Sequence, residues 1–395
     1  MSRYVIVGNG VAGTSAAEEI RKQDPEGSIH IFSIEDMPFY YRIRLPEVVA
    51  GDVQEDTLVA RSPKWYKDQD IHLHLETRVT EIDAQKKTLA TDEGQAFPYD
   101  RLLLANGSHS FIPPIQGADK PGVFALRTMQ DVREIRKWAQ SSDQAVLIGG
   151  GLLGLEAGNG LRKLGKQVTV VEVFPRLLPR QLDAKGASRL QSMLEDMGFR
   201  FCLGAKTTSI EGEHAADKVI LDDGTSLPAD LILVSAGVRP NLELARQMNL
   251  DLDKGVQVNE LLQTSRPDIY AAGDVTEFQG RVYGIWPAAQ EQGRLAGRNM
   301  AGAGQPQAYQ GTVMANTLKV VGIDLASAGE IDAEGRHDAR IKEDDRCYRK
   351  IVLDGRRIIG CILLGDTSGF QKVTQLMQQG ADASDGLDSL LRGTA

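Results

Sequence analysis

Gly8, Gly10 and Gly13 follow the apolar run Tyr4–Val7 in G-x-G-x-x-G spacing, and Gly149, Gly151 and Gly154 repeat that spacing after Ala145–Ile148. Val11 and Ala12 complete the first turn, Leu152 and Leu153 the second. After each turn comes a small-residue helical stretch, then a second apolar strand that ends on an acid, Glu35 or Glu172. The chemistry such a pattern offers is binding. The first glycine permits a tight turn, the second lets backbone approach a pyrophosphate, and the third lets the helix pack close, its first N–H groups facing the phosphates. The acid accepts hydrogen bonds from a ribose. One such motif is common, but two copies in strand–turn–helix context, each with its acid, imply two bound dinucleotides.

The strands that must position these turns recur as well. Tyr99-Asp100-Arg101-Leu102-Leu103-Leu104-Ala105-Asn106-Gly107 echoes Asp230-Leu231-Ile232-Leu233-Val234-Ser235-Ala236-Gly237, each a buried strand running into a glycine. Ala105 and Gly107 therefore join the first candidate site, and Gly237 the second.

Composition narrows the class. A chain of 395 residues, 42% hydrophobic and 25% charged, is expected to build two or three globular domains with a sizeable core. A net charge of −9 argues against nucleic acid as the main partner. The apolar runs are too short to span a bilayer, and the N-terminus enters a strand almost at once, leaving no room for a signal peptide; a cytoplasmic enzyme with no membrane partner is expected. Three scattered cysteines and six histidines suggest neither a disulfide framework nor a metal site. Oligomeric state is not readable from these features.

The stretch Thr264-Ser265-Arg266-Pro267-Asp268-Ile269-Tyr270-Ala271-Ala272-Gly273-Asp274-Val275 resembles the flavin-closing motif of the FAD-dependent pyridine nucleotide-disulfide oxidoreductases. That resemblance implies FAD at Gly8, Gly10, Val11, Ala12, Gly13 and Glu35, with Gly273 and Asp274 at its ribityl chain. It implies a nicotinamide dinucleotide at Gly149, Gly151, Leu152, Leu153, Gly154 and Glu172. Further positions match the family by likeness: Val79 at the adenine, Arg127 and Arg42 near the flavin, Glu156 at the nicotinamide carboxamide. Trp286, opening the helix Ala288 to Met300, matches the helix that faces the flavin. A carboxylate at Glu172 favours a free ribose 2′-OH, so NADH is expected over NADPH.

The stretch MPFYYRIRLPEVVAG then becomes informative. Single-cysteine members of the family read Cys-Gly-Leu-Pro here, whereas this chain reads Ile43-Arg44-Leu45-Pro46, and no cysteine precedes Cys202. A branched alkyl group cannot accept electrons as a thiolate does. Direct electron exit from the flavin is implied, as in the rubredoxin reductases and the NADH-oxidising portion of assimilatory nitrite reductase, which the chain resembles along its whole length. No general acid or base is required. An NADH oxidase or peroxidase, and a slow flavin-binding redox sensor, stand as alternatives. A rubredoxin-like carrier is the expected partner, and Arg336, His337, Arg340, Lys342, Arg346, Arg349, Lys350, Arg356 and Arg357 form a basic concentration that could receive it.

The expected architecture is α/β: two doubly wound (Rossmann-like) dinucleotide-binding domains and a small α+β C-terminal domain. The FAD domain is expected at 1–111 and 238–312, the NAD domain at 112–237 and the C-terminal domain at 313–395, the last with strands Thr317 to Val321, Tyr348 to Leu353 and Ile358 to Leu364 and a helix Ser368 to Gln379.

Overall fold

A computed structural model describes residues 1–302, 304–312, 315–344, 347–382 and 386–392, with side chains of 315–320 excepted. The chain divides into two compact units. The first comprises Met1–Ile43, Gln54–His109 and Val238–Thr312; the second comprises Arg44–Val53, Ser110–Gly237 and the residues from 313 onward.

In the first unit a parallel sheet runs Ile269–Ala271, Arg101–Leu104, Arg3–Val7, Ser28–Phe32, Ile71–His74. Tyr4, Ile6, Ile29, Ile31 and Leu103 fill the core on one face, where the helix Val11–Gln23 packs, and Val5, Val7, Leu102 and Leu104 fill it on the other. Continuous apolar strands of this kind are what a sheet covered on both faces requires. The second unit repeats the order with Arg200–Leu203, Gln167–Glu172, Gln144–Ile148, Leu231–Val234, Val123–Ala125. Pairing of Val7 with Leu104 in one sheet corresponds to pairing of Ile148 with Val234 in the other. The α/β, doubly wound expectation is met in both halves.

His30 meets the distant pair His72 and His74 in the first unit. His30 and His72 are register partners on adjacent strands, stacked with ring centroids 4.7 Å apart, and His30 Nδ1 lies 3.0 Å from His74 Nε2. No group of described residues could hold a metal ion.

The C-terminal part is an antiparallel sheet ordered Ala315–Val320, Ile323–Gly329, Arg357–Leu364, Tyr348–Asp354, Asp338–Glu343, with the helix Phe370–Gln379 packed on it. Two of these strands, Ile323–Gly329 and Asp338–Glu343, were not expected from sequence. The first ends in a run of small residues, Ala326 to Gly329, and the second is a charged edge strand with little apolar pattern.

The basic concentration proves not to be one surface. Arg349 and Lys350 lie inside this unit at 2% and 5% exposure. Arg349 donates to Asp366 at 2.5 Å and to the Ser368 and Leu390 carbonyls at 3.0 and 3.1 Å. Lys350 donates to the Asp332 carbonyl at 2.7 Å and pairs with Asp183 at 3.2 Å. Buried charges survive only with such partners. Arg336 and Arg356 stay exposed beside Glu334 and Asp382, and Arg346 lies outside the described residues.

Candidate functional site

The glycines of each fingerprint divide into two kinds by what surrounds them. Gly8 has φ +112° and Gly149 φ +115°, conformations L side chains rarely adopt, and a Cβ on either would overlap the carbonyl of Ala105 or Ser235 on the neighbouring strand. A Cβ on Gly13 would run into the Gly8 carbonyl, and one on Gly154 would sit 2.7 Å from the Gly149 carbonyl. These glycines close the turn and seat the helix. Gly10 and Gly151 differ: a Cβ there would meet nothing within 4 Å. Each is the N-cap of its helix, Val11–Gln23 or Leu152–Lys163, and neither helix has a side-chain cap or an acid in its first turn. The first helical N–H groups are left for an incoming acceptor, which suits a phosphate.

Asn9 adds a second indication in the first cradle. Its Oδ1 accepts from the Tyr66 hydroxyl at 2.9 Å and from Thr14 Oγ1 at 3.3 Å, while its Nδ2 is buried with no protein partner. A buried donor without a partner is costly unless a ligand satisfies it. Both cradles fit a bound dinucleotide.

The strand expected to end on Glu35 stops at Phe32, so Glu35 lies in the bend beyond it, and its carboxylate is already held. It accepts from the Tyr40 hydroxyl at 2.5 Å and pairs with the Arg42 guanidinium, which lies over the Tyr40 ring. Burial pulls the Arg42 pKa down, yet Tyr40 and Glu35 outweigh it, so the guanidinium stays firmly charged. Backbone bonds from Glu76 and Thr77 to the Glu35 and Ser33 carbonyls, 3.1 and 2.8 Å, bring the segment leading to Val79 beside Glu35. Val79 itself is buried at the start of an antiparallel strand.

Ala105 and Gly107 are fixed by reciprocal amide bonds: Asn106 Nδ2 donates to the Asn241 carbonyl at 3.0 Å and Asn241 Nδ2 to the Asn106 carbonyl at 2.7 Å. Ser108 donates to Asp274 at 2.8 Å. The N–H of Gly273 donates to Gln292 Oε1 at 2.9 Å. Gln292 belongs to the helix Trp286–Ala301, and sequence reading overlooked it. The same helix carries Gly293 and Gly297, whose would-be Cβ atoms overlap the carbonyls of Ala12 and Ala16 on the fingerprint helix. The Gly-x-x-x-Gly spacing was the available signal: only glycine lets two helix backbones approach so closely. At the start of this helix Trp286 stacks on Phe39 and Tyr41, with centroids 5.7 and 5.6 Å away. The first cradle, the Gly273–Asp274 turn and Trp286 are thus one construction.

In the second unit Glu172 is buried, and backbone N–H groups use both its oxygens: Gly150 at 2.6 Å and Phe174 at 2.9 Å. Gly237 has open space around it and accepts from the Phe111 N–H at 2.8 Å. Leu152 and Leu153 are half-buried at the helix start. Glu156, one turn on, accepts the Val321 N–H at 2.9 Å, and burial pushes its pKa up. Arg127 lies in this unit too, its N–H donating at 2.8 Å to Asp131, which forms a capping box with Thr128.

No thiol is activated. Burial raises the pKa of Cys202 and Cys347 and pushes Cys361 up to about 12, while Ile43 stands 67% exposed.

Residues 2–293 match the pyridine nucleotide-disulphide oxidoreductase family, and residues 315–381 match the rubredoxin NAD+ reductase C-terminal domain. The chain is 39% identical over 387 residues to a nitrite reductase [NAD(P)H] of Bacillus subtilis, covering 97% of this chain and 48% of that protein. It is 33% identical over 282 residues to a rubredoxin-NAD(+) reductase of Pseudomonas putida, covering 71% and 73%. The chain spans about half the length of the nitrite and nitrate reductase proteins it matches. Among solved structures, NADH:rubredoxin oxidoreductase from Clostridium acetobutylicum superposes with a TM-score of 0.82 at 26% identity, covering 99% of both chains.

Proposed function

The chain belongs to the pyridine nucleotide-disulphide oxidoreductase family, and on that premise we propose that it oxidises NADH through FAD and delivers the electrons, without a sulfur relay, to a small iron–sulfur carrier of the rubredoxin kind. The observation that carries the proposal is the pair of open glycine cradles in a chain with no cysteine before Cys202.

Bound FAD would supply the conversion between two-electron hydride chemistry and one-electron delivery. The residues hold and orient. In the first unit Gly10, Val11, Ala12, Gly13 and Asn9 would meet the pyrophosphate, with Glu35 turned to the ribose and Arg42 beside it supplying positive charge. Asp274, steadied by Ser108, would take a hydroxyl of the ribityl chain, and Gln292 holds the Gly273 turn in place for it. The helix beginning at Trp286 and Pro287 carries no acid in its first turn, so its dipole would favour negative charge at its N-terminus. In the second unit Gly151, Leu152, Leu153 and Gly154 would seat the NADH pyrophosphate. Glu172 would accept from the ribose with the lone pairs its backbone donors leave, and it would repel a 2′-phosphate, supporting NADH over NADPH. Positioning the two partners in line can lower the barrier to such a transfer substantially.

The test is a steady-state screen of the purified protein with NADH and NADPH against rubredoxin, ferredoxin, oxygen and peroxide. The proposal expects NADH with rubredoxin to give the highest kcat/KM. Fast NADH consumption in air with no protein acceptor, or tight flavin and NADH binding with slow turnover, would overturn it in favour of an oxidase or a redox sensor.

A further inference from the structure

Tyr99 lies two residues ahead of the strand Arg101–Leu104, its ring in the apolar core at 1% exposure and its hydroxyl buried with no hydrogen-bond partner among the described residues. A buried hydroxyl left in this way is costly unless something satisfies it. Tyr99 lines a cavity of about 130 Å³ together with Ala84, Lys87, Arg266, Pro267 and Asp268. The cavity lies in the first unit, at the N-terminal ends of the paired strands Arg101–Leu104 and Ile269–Ala271. Ala105, Gly107, Gly273 and Asp274 follow the C-terminal ends of those strands, so the cavity is no part of the cradle described above. Backbone bonds tie its walls: Tyr99 donates its N–H to the Lys87 carbonyl at 2.9 Å, and Leu102 and Ile269 donate theirs to the Asp268 and Arg266 carbonyls, both at 3.0 Å.

The charges around this cavity do not cancel. Asp268 pairs through one oxygen with Lys87 and through the other with Arg101 at 2.5 Å. Asp83 is engaged within its own turn by the Gln85 and Lys86 N–H groups, 3.0 and 2.9 Å away, and by the Lys86 ammonium at 3.1 Å. Arg266 is left over. Its Nε donates to the Met248 carbonyl at 3.3 Å, and its two terminal nitrogens have no partner among the described residues. Burial pushes the Tyr99 pKa up to about 12 against the pull of the Arg266 charge, so the hydroxyl keeps its proton and stays a donor. The site thus offers donors and surplus positive charge, with both oxygens of its acid already used, which is the chemistry that holds an oxyanion. An apolar cavity of ~150 Å³ admits benzene, so one of this size takes a handful of heavy atoms and excludes a nucleotide. Lys87 and Asp268 keep 43% and 31% of their side-chain exposure, and the mouth reaches water beside them. We propose that this cavity binds a small oxyanion, phosphate or a short carboxylate, held by the Tyr99 hydroxyl and the Arg266 guanidinium with Lys87 at its mouth.

The experiment is calorimetry on the intact purified protein and its Y99F and R266Q variants, titrated with inorganic phosphate and, separately, with acetate. Ionic strength is held constant with chloride. Wild type is expected to bind at least one of the two anions, and the stronger binder shows whether the ligand is phosphate-like or carboxylate-like. Y99F is expected to weaken that anion about tenfold, the size of one hydrogen bond to a charged group, and R266Q by at least as much. Y99F keeps the ring and its packing, so it reports even if R266Q, which alters the Met248 contact, folds poorly. Melting temperature is expected to rise with the anion in wild type and to rise less in Y99F at the same concentration. Wild type that gives neither heat nor a melting shift beyond the chloride control overturns the proposal. Equal binding by wild type and both variants places the anion elsewhere on the chain, the glycine cradles included, and overturns it as well.

Discussion

The carboxylate of Asp183 accepts a hydrogen bond from the Tyr348 hydroxyl at 2.7 Å, so a loop-end residue of the nucleotide-binding sheet is fastened to a central strand of the C-terminal sheet. The same oxygen pairs with Lys350 at 3.2 Å. Burial, with Asp183 second, drives the Tyr348 pKa far above that of a free phenol, so the donor keeps its proton at all working pH values.

Replacing Asp183 removes a helix cap and leaves the buried Lys350 charge with Asp332 alone, its carboxylate 4.0 Å away. D183A is expected to lower unfolding stability by about 3–5 kcal/mol, as for a broken buried pair. Y348F deletes one hydrogen bond and should cost about 1 kcal/mol. Urea unfolding curves of the two variants, compared with wild type, check the ordering; equal losses would contradict it.

The two kinds of fingerprint glycine predict two kinds of defect. G10A adds a methyl to open space at an ordinary φ of −84°, so the protein should fold with a loss of about 1 kcal/mol or less but purify without its yellow colour. G8A forces a side chain into the Ala105 carbonyl at positive φ and should cost roughly 3 kcal/mol or more, folding poorly if at all. Melting temperature and the 450 nm band, measured together, separate these outcomes.

The histidine stack sets an acid limit on stability. Burial first, then His72 and His74, depress the His30 pKa from 6.5 to about 4, and His74 shifts the same way. A histidine with a lowered folded pKa binds fewer protons folded than unfolded between those values, so stability rises with pH across about 4 to 6.5 and falls as acid is added. H30F, which keeps an aromatic ring in the stack without a titrating group, should flatten that limb. Melting temperatures at pH 4.5 and 7 give the check.

Glu172 holds its own loop and, on the proposed reading, would also face the ribose. E172Q leaves one accepting oxygen for the Gly150 and Phe174 N–H groups and removes the charge that opposes a 2′-phosphate. The expected result is a rise of about tenfold in the KM for NADH together with a relative gain for NADPH. An unchanged coenzyme ratio would remove Glu172 from the specificity argument.

Much of this was legible in the sequence, for identifiable reasons. The cradles are local: turn, helix start and strand-end acid lie within 28 residues of one another in each copy, Gly8 to Glu35 and Gly149 to Glu172. What was missed depends on distant partners. Arg349 and Lys350 read as surface charge because nothing near them in sequence announces Ser368, Leu390 or Asp183 as neighbours. The histidine trio exists only through the parallel register that sets His30 against His72. The occupation of Glu35 by Tyr40 and Arg42 follows from a return of the chain that spacing alone does not specify.

With no thiol placed to hold a second electron pair, a flavin bound by this chain should take up two electrons and no more. An anaerobic titration of the purified protein with NADH or dithionite, followed at 450 nm, tests it most directly. Full bleaching by two electrons per flavin is expected, with the same endpoint when Cys202, Cys347 and Cys361 are all replaced by alanine. A four-electron endpoint in the native protein that drops to two in the cysteine-free variant would contradict it.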